Sequence, residues 1–197
     1  GDVKSKTFLD TNASSATYVA AAAQPTSTFT LANSSFGTNT ARKITATTAG
    51  TGDNGKTVTI VGKDHNNEDA TEVITLTGSA ETSSGTTTAF LSITSATVSA
   101  QPAANVSLGM TADVFGSIFQ GRTRVRQVNA ESGGSIGSVL FRNGSLTGTA
   151  LLTVRTGATA GDVNTVNIPQ DGILYKDGAF VTFDETQCNS ATVYFDG

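Results

Sequence analysis

Residues 41–79, ARKITATTAGTGDNGKTVTIVGKDHNNEDATEVITLTGS, decide the fold class of this chain. Arg42–Thr48 alternates Ile44, Ala46 and Thr48 on one face with Lys43, Thr45 and Thr47 on the other. Lys56–Lys63 repeats the alternation around Val58 and Ile60, and Glu72–Thr77 repeats it around Ile74 and Leu76. Period-2 runs of Val, Ile and Thr bounded by Gly, Asn and Asp are strand signatures, so three consecutive strands are expected. The second turn has two candidate registers. A two-residue Asn66-Asn67 loop pairs Ile60 with Val73 and leaves Thr59 opposite Ile74. A three-residue loop, Asn66-Asn67-Glu68, pairs Ile60 with Ile74 and Val58 with Leu76, gathering four apolar side chains on one face. A one-residue slip turns every side chain over, so the three-residue loop is expected, with Asn67 left-handed.

The same alternation continues outward from this meander. Upstream, Thr26–Leu31 reads as a strand carrying Phe29 and Leu31. Downstream, a polar loop over 78–88 leads to strands at Ala89–Ser99 and Asn105–Met110. Val114–Gly121 is a Gly-bracketed apolar joint, in which Phe115 and Phe119 are expected to pack. From Arg122 onward, short strand patterns recur at roughly the ten-residue spacing of a sandwich or barrel. Asp177-Gly178 reads there as a type I′ turn pairing Tyr175 with Phe180 and Leu174 with Val181. The Ala20–Ala23 run is too short for a stable helix and stops at Pro25, so residues 1–24 read as an extended N-terminal arm. The expected fold is all-β, with two small antiparallel β-sandwich or barrel-like domains. The boundaries are 1–24 for the arm, 25–113 for the first domain, 114–121 for the joint and 122–197 for the second domain.

Composition narrows the function classes. The 197 residues are 37% hydrophobic and 14% charged, with 21 Gly, 3 Pro and no Trp. Many short strands with uncharged polar faces fit that balance, as does a surface covered by neighbours in an assembly, where charge is disfavoured. A net charge of −4 and a pI near 4.8 oppose a nucleic-acid partner, which requires a basic face. No apolar run approaches membrane-spanning length, and GDVKSKTFLD lacks the apolar core of a signal peptide. Cys188 is the one cysteine, so no intrachain disulfide forms and a reducing cytosol suits folding.

The search for chemistry yields little. His65 is the one histidine and sits at a hairpin tip, where a triad has no rigid neighbour to orient it. One His and one Cys do not make a zinc site. The tip Asp64–Asp69 offers oxygen ligands for calcium but lacks the Gly and distal Glu of an EF-hand loop, and Asn and Asp are also what tight turns require. Asp171, Asp177, Asp184 and Glu185 invite a glycosidase reading, yet the aromatic groove for a sugar has no Trp to build it. Cys188 lacks a partner as a nucleophile. Arg122, Arg124 and Arg126 alternate and therefore share one face of a strand, while acidic residues gather earlier at Asp53, Asp64, Glu68, Asp69, Glu72 and Glu81. The arginines read either as a solvated outer face or as a docking stripe for an acidic surface. Lys4, Lys6 and Phe8 of the arm join them as expected docking residues.

The runs Arg42-Lys-Ile-Thr, Val58-Thr-Ile-Val-Gly, Thr71-Glu-Val-Ile-Thr and Ile93-Thr-Ser-Ala-Thr-Val resemble a β-rich domain of tailed-bacteriophage virion proteins. The ending Ile168-Pro-Gln-Asp-Gly-Ile-Leu-Tyr-Lys-Asp-Gly with Ala191-Thr-Val-Tyr-Phe is similar to that of other small phage structural proteins. Where such relatives place Asn-Gly in the turn, this chain has Asn66-Asn67. The resemblance implies a non-enzymatic virion protein without cofactors. Its most similar class is the capsid decoration (cement) protein, which binds the major capsid protein on the capsid exterior and forms homo-oligomers, often trimers. A neck, tail or fibre component is the first alternative, and a bacterial adhesin or carbohydrate-binding module the second.

Overall fold

The computed structural model describes residues 2–77, 80–82 and 85–197, with residues 80–82 described by their backbone alone. Residues 78, 79, 83 and 84 of the expected polar loop, and the Glu81 side chain, lie outside the described residues. Fifteen strands are described, and the fold is all-β with antiparallel pairing, as expected. They begin with β1 (Val3–Leu9), β2 (Ala20–Ala23), β3 (Ala41–Thr48), β4 (Thr57–Asp64) and β5 (Asp69–Thr75). Then come β6 (Ala80–Thr82), β7 (Ala89–Val98), β8 (Val106–Phe119), β9 (Thr123–Ser132) and β10 (Gly137–Asn143). The last five are β11 (Ala150–Thr156), β12 (Val163–Asn167), β13 (Ile173–Tyr175), β14 (Ala179–Asp184) and β15 (Cys188–Asp196). Among the described residues, the one helical element is a 3-10 turn at Thr51–Asp53.

Two compact units divide the chain, and they interleave along it. The meander unit comprises Ala13–Phe36 and Ala41–Thr111. The terminal unit comprises Gly1–Asn12, Gly37–Thr40 and Ala112–Gly197. The expected joint at 114–121 is strand: β8 runs unbroken from Val106 to Phe119, giving its first residues to one unit and its last to the other. Val114 and Ile118 are buried core residues rather than linker.

In the meander unit, β4 lies between β5 and β7, and β3 lies between β8 and the start of β7. Val58, Ile60, Ile74 and Leu76 are all buried, so the apolar face read from the sequence is the face that packs. The register differs from the expected one by two residues: Val58 faces Ile74 and Ile60 faces Glu72. A slip of two keeps every side chain on its side of the sheet. The loop has three residues, but they are His65-Asn66-Asn67. Asn67 N–H donates to Asp64 O (2.9 Å), and Asn67 has φ 65°, the left-handed residue that closes a three-residue hairpin. The strand expected at Thr26–Leu31 does not form as such. That stretch pairs with β7 through an isolated Thr28–Thr97 bridge and single hydrogen bonds, with Phe29 buried.

The terminal unit is a sandwich. One sheet runs β1-β15-β9, and β12 and β13 share the far edge of β9. The other runs β11-β10-β14 and ends on the second half of β8. Between them pack Phe8, Val125, Val128, Tyr175, Val193 and Phe195 from the first sheet and Val114, Phe141, Val154, Val181 and Phe183 from the second. The extended arm is therefore not what the N-terminus forms: β1 pairs with β15 along its whole length, from Val3–Asp196 to Leu9–Ser190. Nor do β13 and β14 make the Asp177-Gly178 hairpin. Tyr175 pairs with Thr123 in one sheet and Phe180 with Ser117 in the other, so residues 176–178 carry the chain between sheets. The bulk on both faces, read from sequence as a hairpin between two surfaces, belongs to two strands in different layers.

Candidate docking cleft

Strand β9 sets the geometry of the arginines. Thr123 and Val125 point into the core, so Arg124 points out, and Arg122, which is exposed, precedes the strand. The alternation breaks after Val125, because Tyr194 faces Gln127 while Phe195 faces Val125. Arg126 is the extra residue of a β-bulge, and Val128 and Ala130 take over the inward positions. The bulge aims Arg126 at its own chain. Its Nε and Nη2 donate to Asp196 Oδ2 at 2.8 and 2.6 Å, and its Nη1 donates to Gln170 O at 3.0 Å. The hydrogen bond from Arg126 draws the Asp196 carboxyl below the usual carboxylate range.

The other two guanidiniums remain available. Arg124 makes one long bond to a carbonyl, Asp171 O, at 3.4 Å. Neither Arg122 nor Arg124 pairs with a carboxylate among the described residues. Both line an open cleft of about 300 Å³ with Thr123, Leu174, Asp196 and Gly197. Thr123 Oγ1 donates to Asp196 O and ties the cleft floor to β15. Arg126 holds Asp196, and Arg122 and Arg124 line the cleft with no carboxylate at ion-pair distance among the described residues, in a chain whose net charge is −4. A low-dielectric wall such as Leu174 strengthens the attraction of an entering anion.

The expected docking set does not come together. Phe8 is fully buried in the terminal core, so it does not present a surface. Its ring occupies the space that a side chain at Gly116 would take. Lys6 shares the inward face of β1 with Phe8, and its ammonium donates to Ser117 O at 2.7 Å, with burial pushing its pKa down. Lys4 lies on that same face, 6.0 Å from the centre of the Phe119 ring. The arginines of β9 point to the opposite side of that sheet, so the six residues split between two faces. Leu174 and Asp196 were missed because the β9–β15 and β9–β13 registers that bring them to the arginines leave no local pattern. Two acidic residues from outside the meander, Asp171 and Asp196, stand beside the arginines.

Groups capable of reaction chemistry are committed elsewhere. The Cys188 thiol is buried, donates to Ser190 O, and burial pushes its pKa up to about 12. His65 sits in the β4–β5 turn, where burial lowers its pKa against the pull of Asp64 and Glu68. Asp64 Oδ1 accepts the N–H groups of Asn66 and Glu68 (2.8 and 3.0 Å), which is turn chemistry at the tip considered for calcium. Asp184 accepts the Thr186 N–H at 2.8 Å and Asp177 accepts from Asn143 at 3.0 Å, so two of the carboxylates in the glycosidase reading hold turns. Among the described residues, no three His, Cys, Asp or Glu side chains are placed to hold a metal. No helix among them is long and apolar enough to cross a membrane. No family model, curated protein or solved structure matches the chain.

Proposed function

We propose that this chain is a non-enzymatic virion structural protein that decorates the outer surface of a phage capsid by binding the major capsid protein. The observation that carries the reading is the cleft: two guanidiniums stand without carboxylate partners among the described residues, while the one thiol is buried and donates to Ser190 O. Such a molecule offers contact chemistry rather than reaction chemistry. It works mechanically, as a homo-oligomeric cement whose individually modest contacts add up across the shell. No cofactor, nucleic acid or membrane enters the mechanism.

Pelleting with purified capsids tests the reading. The chain is expected to co-sediment to saturation at a stoichiometry set by the number of capsid subunits, and more weakly as salt screens the contacts. The R122E/R124E variant is expected to keep its far-UV circular dichroism and melting temperature and to attach more weakly. Saturation at a few copies per particle points to the neck, tail or fibre instead, and no attachment at all overturns the proposal.

A further inference from the structure

We propose that the Arg122–Arg124 cleft receives the acidic tip of the β4–β5 hairpin from a second copy of this chain. The inference takes from the decoration reading only that copies are gathered side by side.

Charge complementarity carries it. The cleft has two arginines with no carboxylate at ion-pair distance among the described residues, and the third arginine of the stripe holds the Asp196 carboxylate that lines it. At about 300 Å³ and open to solvent, it admits the side chains of a turn rather than a folded domain. The β4–β5 tip has the opposite character. Asp64, Glu68 and Asp69 surround the His65-Asn66-Asn67 loop, with Lys63 as the neighbouring cation. Lys63 bridges Asp69 at 2.8 Å, although the Asp69 side chain remains 92% exposed. Glu68 is exposed and has no salt bridge among the described residues. Glu68 and Asp69 are adjacent on an extended chain, so they project to opposite sides of the ribbon. The tip therefore presents a carboxylate whichever side meets the arginines.

The tip is also ordered in advance. Asp64 Oδ1 holds two N–H groups of the turn, and Asn67 already has the left-handed conformation that the loop needs. Docking a preorganised hairpin forfeits little chain entropy. Guanidinium–carboxylate hydrogen bonds are charge-assisted and directional, which fixes the orientation of one copy against the next. Because cleft and tip are different surfaces, the contact is heterologous. It runs head to tail and either closes into a ring or continues as a row.

Sedimentation velocity over a concentration series, at low and high salt, tests this with the full chain. The wild type is expected to sediment faster as concentration rises at low salt, and to lose that dependence at high salt. R122E/R124E and E68K/D69K are each expected to stay at the slowest-sedimenting species. Mixing the two variants is expected to restore association, because each reversed surface then meets a complementary one. Circular dichroism checks the fold of each variant. If a reversal unfolds the chain, R122Q/R124Q and E68Q/D69N replace it, and both are expected to lose association. A wild type that sediments independently of concentration up to its solubility limit overturns the proposal. So does an E68K/D69K variant that associates like the wild type, or a mixture that does not recover. Capsid pelleting separates this from the decoration reading: a wild type that self-associates but does not pellet with capsids leaves this contact standing and removes the decoration.

Discussion

A carboxylate with no exposed surface is tolerable only where donors replace its lost water, and Asp53 has four. It accepts the N–H groups of Ala103 (2.6 Å) and Ala104 (3.1 Å), the Thr48 hydroxyl (3.1 Å) and the Lys56 ammonium (2.9 Å). Burial pushes its pKa up, but these bonds together outweigh burial and bring it down to about 2. An unfolded Asp ionises near about 3.9. The ionised form therefore favours folding at every pH above that value, and the contribution fades as the pH falls toward 2. D53N is expected to lower stability at neutral pH by about 2–4 kcal/mol, since it replaces a buried paired charge and leaves Lys56 without its partner. The difference between variant and wild type should shrink as acid denaturation melts are taken from pH 5 toward pH 2. An unchanged difference across that range would refute the assignment. In the sequence, Asp53 reads as one more acid in a TGDNG turn. Its donors at 103 and 104 come from a loop about fifty residues away, which no local pattern announces.

At the scale of strands, what was legible depended on whether one strand or two decide the outcome. Alternation in a single strand is a local property, and it correctly put Ile44, Val58, Ile60, Ile74 and Leu76 on the buried side. Pairing is a property of two strands, and there local rules misled. Asp177-Gly178 has the chemistry of a two-residue hairpin turn, but Tyr175 pairs with β9 in one sheet and Phe180 with β8 in the other, a choice made by strands far away in sequence. The N-terminal strand is the sharper case. Its Lys-x-Lys-x-Phe alternation looks like an exposed arm, yet Phe8 fills the space left by the missing side chain of Gly116. Phe8→Ala is expected to cost about 3–5 kcal/mol, as for other buried Phe truncations. Gly116→Ala is expected to cost about 1–3 kcal/mol by overpacking against that ring. Chemical denaturation checks both, and a Phe8→Ala variant as stable as the wild type would return β1 to the status of a dispensable arm.

For the molecule as a whole, strand alternation and composition read correctly as an all-β chain, whereas the units of the structure are not divided at a single linker. The chain passes between its two units after Asn12, Phe36, Thr40 and Thr111. A fragment of residues 122–197, the second domain expected from the sequence, omits β1 and the half of β8 that pairs with β14. That fragment is expected to show no cooperative thermal transition and to bind hydrophobic dyes. A co-expressed peptide covering β1 alone should not rescue it, because the β8 edge is still missing. A sharp melt from the fragment alone would contradict the interleaved division. The docking stripe was half legible for the same reason: three arginines at alternate positions are visible in sequence, but the bulge that separates Arg126 from the other two depends on β15.

The pairing of β1 with β15 also has a consequence in time. Val3 meets Asp196 and Leu9 meets Ser190, so the contacts that close the terminal sheet are among the longest in sequence that this chain makes. During synthesis, β1 emerges before β2 to β14 and must wait until β15 has been made before its partner exists. The meander strands β3 to β7 find theirs within a few dozen residues. Contacts that distant slow folding and prolong the exposure of unpaired edges. A strand made before the other fourteen described strands is thus among the last to be seated, and until then Phe8 and the edge of β1 are open to chaperones and to other nascent copies.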